Sequence, residues 1–246
     1  MDHVAVVTGA GRGLGAAIAR ALHDRGYRVL VADIDEAAAK ETAVSLDSSG
    51  NTAVAAVLDV RKKSDFESLR DRVVDVWGGA DVLVNNAGRS QTGSLMDIAP
   101  EEFSNIVEIN LNGAFLGCQV FGSHFAERGY GRIVNIASLA GQNGGTATGA
   151  HYAAAKGGVG TLTKVFAREL APSGVTVNAV SPGPLDLPVV RETVPADKLA
   201  AILTTIPVGT LGSPEFIAET VALLASPAAA SVTGACWDVN GGLYMR

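Results

Sequence analysis

A short apolar run, Val4-Ala5-Val6-Val7, passes directly into Thr8-Gly9-Ala10-Gly11-Arg12-Gly13-Leu14-Gly15 and then into Ala16-Ala17-Ile18-Ala19-Arg20-Ala21-Leu22. No other stretch restricts the fold as much. An unbroken apolar, valine-rich segment this short fits a strand buried on both faces, as in a parallel sheet, and the alanine- and leucine-rich segment has a helical period. Strand, glycine turn and helix in that order place a flexible backbone and a helix N-terminus together. The glycines permit a sharp turn and close approach, while unpaired N–H groups point at an anion such as a pyrophosphate. The spacing is T-G-x-x-x-G-x-G rather than G-x-G-x-x-G, so the turn alone leaves open a ligand-free loop. A second run, Tyr27-Arg28-Val29-Leu30-Val31-Ala32, ends on Asp33, where a dinucleotide site places an acid on the adenosine ribose.

The alternation continues through the chain. Strands are expected near residues 4–7, 28–33, 53–58, 81–85, 132–137, 175–180 and 235–239, with helical segments between them. That pattern predicts an α/β fold of the Rossmann type, doubly wound, with a seven-stranded parallel sheet covered by helices on both faces. No linker, repeat or composition shift divides the 246 residues, so one domain over 1–246 is expected.

Charge and cysteine usage narrow the class. With 19 Lys and Arg against 25 Asp and Glu the net charge is −6, and no basic stripe invites nucleic acid or an anionic membrane. There is no signal-peptide pattern and no apolar run of spanning length, which predicts a cytoplasmic protein. Cys118 and Cys236 suit buried thiols rather than a disulfide. His3, His23, His124 and His151 are scattered without ligand spacing, so no metal is expected.

Asp33 also bears on the cofactor. Its carboxylate can accept from both ribose hydroxyls, whereas a 2′-phosphate about 4 Å away would meet repulsion of order 4 kcal/mol per unit charge at an effective dielectric near 20. NAD(H) is therefore expected, with NADP(H) kept open by Arg12, a cation in the glycine loop; the next position, Ile34, offers none.

Tyr152-Ala-Ala-Ala-Lys156 supplies candidate chemistry. Four residues make just over one helical turn, so phenol and ammonium rise from one face about 6 Å apart along the axis. An adjacent ammonium favours tyrosinate, which makes the pair a candidate proton donor and acceptor. His151 neighbours Tyr152, but adjacent helical positions face about 100° apart, so no catalytic role is assigned to it.

Taken in order, Thr8-Gly9-Ala10-Gly11-Arg12-Gly13-Leu14-Gly15, Asp59-Val60, Asn85-Asn86-Ala87-Gly88, Asn110, Ser138, Tyr152 with Lys156, and Pro182-Gly183 resemble the short-chain dehydrogenase/reductase family along the whole chain. The resemblance implies that Tyr152 exchanges the proton, Lys156 lowers its pKa and bonds the nicotinamide ribose, Ser138 donates to the substrate oxygen, and Asn110 holds a proton-relaying water. It implies cofactor contacts at Gly9, Gly11, Arg12, Gly13, Leu14, Gly15, Asp33, Ile34, Asp59, Val60, Asn86, Ala87, Gly88, Asn110, Tyr152, Lys156, Pro182, Gly183 and Leu185.

Three features depart from the family pattern. Ser138 and Tyr152 are fourteen positions apart where thirteen is commoner, which predicts a bulge in Gly141-Gln142-Asn143-Gly144-Gly145-Thr146. Leu187 stands where a threonine commonly bonds the nicotinamide amide. The ending Thr233–Met245 resembles bacterial 3-oxoacyl-[acyl-carrier-protein] reductases, whose usual cofactor is NADPH. The places of their carrier-docking arginines hold Gly129 and Ser173, with Arg128 and Arg132 nearby, so carrier docking is doubtful.

Residues 184–212 are proline-rich and follow a strand end, which predicts a substrate lid with a short helix at Ala196–Thr205. Its Leu187, Val189, Val190, Leu199, Ile202 and Leu203 suit a partly apolar substrate. Phe103, Ile106, Phe115, Phe121, Phe125, Val165 and Phe166 leave more apolar surface than one helix face buries, and the resemblance makes the expected assembly a homotetramer. The expected function is hydride transfer between NAD(H) and a secondary alcohol or ketone, with a 3-oxoacyl thioester as one substrate. Polyol, steroid or small-alcohol oxidation stays open, as does a non-catalytic NAD-binding sensor.

Overall fold

The computed structural model describes residues 3–145 and 149–245. Its strands are β1 (Val4–Thr8), β2 (Arg28–Asp33), β3 (Ala53–Val57), β4 (Val82–Asn85), β5 (Gly131–Ile136), β6 (Val175–Pro182) and β7 (Cys236–Val239). They form one sheet in the order β3-β2-β1-β4-β5-β6-β7, and every pairing is parallel. The helices are α1 (Gly13–Asp24), α2 (Glu36–Leu46), α3 (Lys63–Trp77), α4 (Pro100–Val107), α5 (Gly113–Arg128), α6 (Ala140–Asn143), α7 (Ala150–Leu170), α8 (Pro188–Thr193), α9 (Ala196–Thr205) and α10 (Pro214–Ala225).

The period of two in the strands sorts the core into two layers. In β1, Ala5 and Val7 join Val29, Val31 and Val84 beneath Ile18 and Leu22 of α1 and Ile217 and Val221 of α10. Val4 and Val6 join Leu30 and Leu83 on the opposite face, under Phe66 of α3 and Phe121 and Phe125 of α5. Burial on both faces explains why the strands read as continuous apolar runs instead of alternating.

The chain winds outward from β1 to β3, then crosses to β4 on the other side of β1. The ends of β1 and β4 thus open a crevice at the point where the winding reverses, which is where such sheets bind ligands. Thr8 closes its floor. Its hydroxyl donates to the Val84 carbonyl at 3.3 Å and accepts the N–H groups of Asn86 and Ala87, both at 3.0 Å.

Helices α4 and α5 run on through one π turn, Glu108–Asn112, which carries Asn110. Of the seven residues expected to form a surplus apolar face, Ile106 of α4 and Phe121 and Phe125 of α5 are core residues instead, the two phenylalanines packing with Phe66 of α3 and the sheet. Phe103 and Val165 do remain exposed, at 41% and 45%, and Phe115 lies 6.0 Å from Phe166 between ring centres. The segment beyond β6 folds as α8 and α9. Its ends are stitched by Asp186 N–H to Gly212 O and Gly212 N–H to Pro184 O, both 2.9 Å. The Val189 side chain, named for the lid, lies outside the described residues, as does Thr146 of the glycine-rich segment. No described helix is long and apolar enough to cross a membrane.

Candidate active site

The crevice holds a cavity of about 950 Å³. Gly9, Arg12, Leu14, Gly15, Asp33, Ile34, Asp59, Val60, Asn86, Ala87 and Gly88 of the expected set line it. Gly11, Gly13, Asn110, Pro182, Gly183, Leu185 and the Ser138, Tyr152 and Lys156 group do not.

Glycine is needed at particular points. A Cβ on Gly15 would lie 2.1 Å from the Gly9 carbonyl oxygen, and one on Gly11 would lie 3.0 Å from Asp33 Oδ2. Gly9 itself has φ +62°, a left-handed conformation that disfavours a side chain. At the start of α1 no side chain caps the N–H groups, so the helix presents free donors and the positive end of its dipole.

Asp33 ends β2 with its carboxylate at the cavity wall. Oδ2 accepts Gly11 N–H at 2.9 Å and Oδ1 accepts Asp35 N–H at 3.0 Å. A carboxylate has about four lone-pair positions, so each oxygen retains one for a ribose hydroxyl. These residues therefore fit a dinucleotide: a glycine cradle with no room for a Cβ at Gly9, Gly11 or Gly15, an uncapped helix start and an acceptor pair. Asp35 was missed in the sequence. It caps α2 by accepting Ala38 N–H at 3.1 Å and forms an ion pair with Arg12. That pair and the α2 cap hold the Asp35 carboxyl below its ordinary range, the cap contributing most. Arg61 was missed likewise; it grips Asp59 through two bonds of 2.8 and 2.7 Å and holds that carboxyl low. The signal for Asp35 was an N-cap aspartate ahead of an alanine-rich run.

Several expected contacts spend their side chains on the frame. Asn86 Nδ2 donates to the carbonyls of Thr8 and Gly9 at 2.9 and 3.0 Å. Asn110 Oδ1 accepts Arg89 N–H at 3.2 Å, and Nδ2 donates to the Arg89 and Ile106 carbonyls at 2.9 Å each. This buried amide pins the loop after β4. Asn135, also missed, joins Asn85 to Thr163 through buried bonds of 2.9 and 3.0 Å. A polar residue inside the apolar run of β5 was the available signal.

Ser138, Tyr152 and Lys156 converge where β5 ends and α7 begins. Lys156 is buried and Nζ donates to the Ile136 carbonyl at 2.6 Å; Nζ sits 5.8 Å from the Tyr152 ring centre. Gly88 faces the same point: a Cβ there would lie 2.7 Å from Asn110 Oδ1 and 3.5 Å from Lys156 Nζ. Burial depresses the Lys156 ammonium to about 8. Tyr152 departs from expectation. In the cofactor-free protein burial raises its phenol above 10, and a hydrogen bond with Ser138 opposes that rise. Leu185 packs on the α1 and α10 core layer, while Pro182 and Gly183 pair with Leu139 and Val239 through main-chain bonds of 3.0 and 2.9 Å.

This constellation is that of an oxidoreductase of the α/β dinucleotide-binding class. The chain belongs to the short-chain dehydrogenase/reductase family: the family model described as enoyl-(acyl carrier protein) reductase matches residues 9–244. It is 41% identical over 242 residues to the 3-oxoacyl-[acyl-carrier-protein] reductase FabG of Vibrio cholerae serotype O1, covering 98% of this chain and 97% of that one. To the FabG of Escherichia coli it is 38% identical over 244 residues, with 98% and 97% covered. It is 40% identical over 242 residues to a cis-4-hydroxycyclohexanecarboxylate dehydrogenase of Sinomonas cyclohexanicum, covering 98% and 96%. The protein is an enzyme that uses a nicotinamide cofactor to interconvert a ketone and an alcohol.

Proposed function

We propose that the enzyme is NAD(H)-linked and reduces 3-oxoacyl thioesters presented without carrier-protein docking. The observation that carries the cofactor reading is the Arg12–Asp35 pair beside Asp33. The one loop cation suited to a 2′-phosphate is matched by a carboxylate, and Asp33 adds a second negative charge at the ribose. Against carrier docking stand the two nearby arginines. Arg132 is buried and donates to the Gly131, Gly174 and Ser226 carbonyls; Arg128 donates to the Gly78 carbonyl and lies 3.6 Å from Asp81.

In this reading the bound nicotinamide supplies the hydride in reduction and takes it in oxidation. Tyr152 gives its phenolic proton to the developing alkoxide, and Ser138 donates to the same oxygen. Lys156, protonated at neutral pH with a pKa of about 8, stabilises the phenolate left behind. The main chain of Asn110 holds the water that reprotonates it. Residues 184–212 form the lid, and exposed Phe103 and Val165 belong to a homotetramer interface. A cytoplasmic setting belongs to the same reading. Oxidation of a cyclic or small alcohol is the second reading, favoured by the 40% identity to the cyclohexanecarboxylate dehydrogenase.

Titration with NADH and NADPH followed by acetoacetyl-CoA turnover tests the proposal. Tight NADH binding with turnover supports it. NADH binding with oxidation of cyclic alcohols only selects the second reading, and preference for NADPH refutes the cofactor assignment. Tyr152→Phe excludes the sensor alternative if it removes most turnover while NADH affinity holds.

A further inference from the structure

Helix α7 begins without a side-chain cap, because its N-cap residue is Gly149. The third helical residue is Tyr152, so the proton-transferring side chain stands on the first turn, where its N–H reaches the Gly149 carbonyl at 3.1 Å and shares that acceptor with the Ala153 N–H. His151 turns back to serve it. Its Nδ1 accepts the Tyr152 N–H at 2.8 Å, and its Nε2 lies 3.0 Å from Glu102 Oε1 on α4. An accepting Nδ1 carries no proton, so the neutral ring has its hydrogen on Nε2 and donates it to Glu102. The ring is fully buried, with Phe103 6.5 Å away between ring centres.

Room for this arrangement is built into the chain. A Cβ on Gly149 would lie 2.3 Å from His151 Cε1 and 2.7 Å from its Nδ1, so a side chain at 149 would expel the imidazole. The Gly149 N–H in turn donates to the Gln91 carbonyl at 2.9 Å, in the loop after β4. That loop is the one Asn110 clamps through Arg89. The first turn of α7 is thereby fastened to the loop by main chain and to α4 by the His151–Glu102 bridge. Helical geometry correctly keeps His151 off the face of Tyr152; its contact is with the Tyr152 backbone.

We infer that His151, bridged to Glu102, is a positioning residue that fixes the first turn of α7 and so aims the Tyr152 hydroxyl. It touches no reacting atom. The inference rests on the catalytic assignment of Tyr152 made above. Misplacing a reacting group by about 1 Å can cost roughly a hundredfold in rate, so even a small release of this turn is measurable.

The test is His151→Phe, which keeps a buried ring and removes both nitrogens, compared with Glu102→Gln, which keeps an acceptor for Nε2–H, and Glu102→Leu, which does not. Hydrogen exchange at residues 150–153 reads the turn directly. Steady-state turnover with the substrate found for the wild type reads its consequence. The expected result is at least tenfold faster exchange and a tenfold or greater fall in kcat for His151→Phe and Glu102→Leu. The KM for NADH should stay within about threefold, and Glu102→Gln should be close to wild type. Should His151→Phe fail to fold, the Glu102 pair decides alone. Unchanged exchange, or faster exchange with unchanged kcat, overturns the inference. A wild-type protein that turns over no ketone or alcohol instead sinks the proposed function, and the exchange data then still decide whether the bridge holds the turn.

Discussion

Replacing Asp33 by asparagine should move the proposed cofactor preference from NAD(H) toward NADP(H), by an amount that follows from the geometry at the end of β2. The carboxylate already holds two main-chain N–H groups and has one lone pair on each oxygen for the ribose hydroxyls. A hydrogen bond to a charged acceptor contributes about 1.5–3 kcal/mol and one to a neutral acceptor about 1, so the amide should weaken NADH binding roughly tenfold. For a 2′-phosphate about 4 Å away, repulsion per unit charge is about 4 kcal/mol at an effective dielectric of 20 and about 1 kcal/mol in water. Asp33 is half-buried at the cavity edge, so about 2 kcal/mol is appropriate, or roughly thirtyfold tighter NADPH binding. Together the NADH-to-NADPH affinity ratio should fall by about 300-fold, measured by fluorescence titration of both reduced cofactors. Asp35→Asn should add to the shift by releasing Arg12. Raising the salt concentration should narrow the wild-type preference, because the repulsion at this open edge is screened. A ratio that changes less than threefold in Asp33→Asn would show that this carboxylate does not face the ribose.

Lys156→Met should stabilise the cofactor-free protein at pH 7 while abolishing turnover. The folded pKa of about 8 lies below the ordinary 10.5, so between those values the unfolded chain binds the extra proton and wild-type stability rises with pH. Below pH 8 the buried ammonium costs about 3 kcal/mol, against which the loss of the Nζ–H to Ile136 bond sets about 1 kcal/mol. Melting at pH 7 should rise by roughly 4–8 °C for a chain of this size, the gain shrinking as pH approaches 10.5; a gain independent of pH would refute the reasoning. Cys118 has its thiol pushed up to about 12 by burial and should resist alkylation in the native protein, becoming reactive only on unfolding. Mass spectrometry of iodoacetamide-treated protein checks this, and rapid native labelling of Cys118 would contradict its place under the sheet.

Much of the fold is readable because each strand and helix carries its own period. Val4–Val7 needs no distant partner to read as a doubly buried strand, and the Tyr152–Lys156 spacing puts two side chains on one helical face whatever surrounds them. Asp33 is equally local: a short apolar run ends there, at a fixed distance from the glycine turn. Local sterics also make Gly9 a glycine, since its φ of +62° disfavours any other residue.

What a side chain bonds to is a different matter, because its partner is set by which distant segments the sheet brings side by side. Arg12 reads as a free cation until α2 delivers Asp35, and nothing in the sequence shows that the side-chain amides of Asn86 and Asn110 are held by the Thr8, Gly9 and Arg89 backbones. Phe121 and Phe125 read as surplus apolar surface until α3 and the sheet cover them. His151 shows both limits together. The sequence gives its direction relative to Tyr152, since that depends only on helical pitch. Glu102 lies 49 positions earlier in the chain, and only the packing of α4 against α7 makes the two residues neighbours.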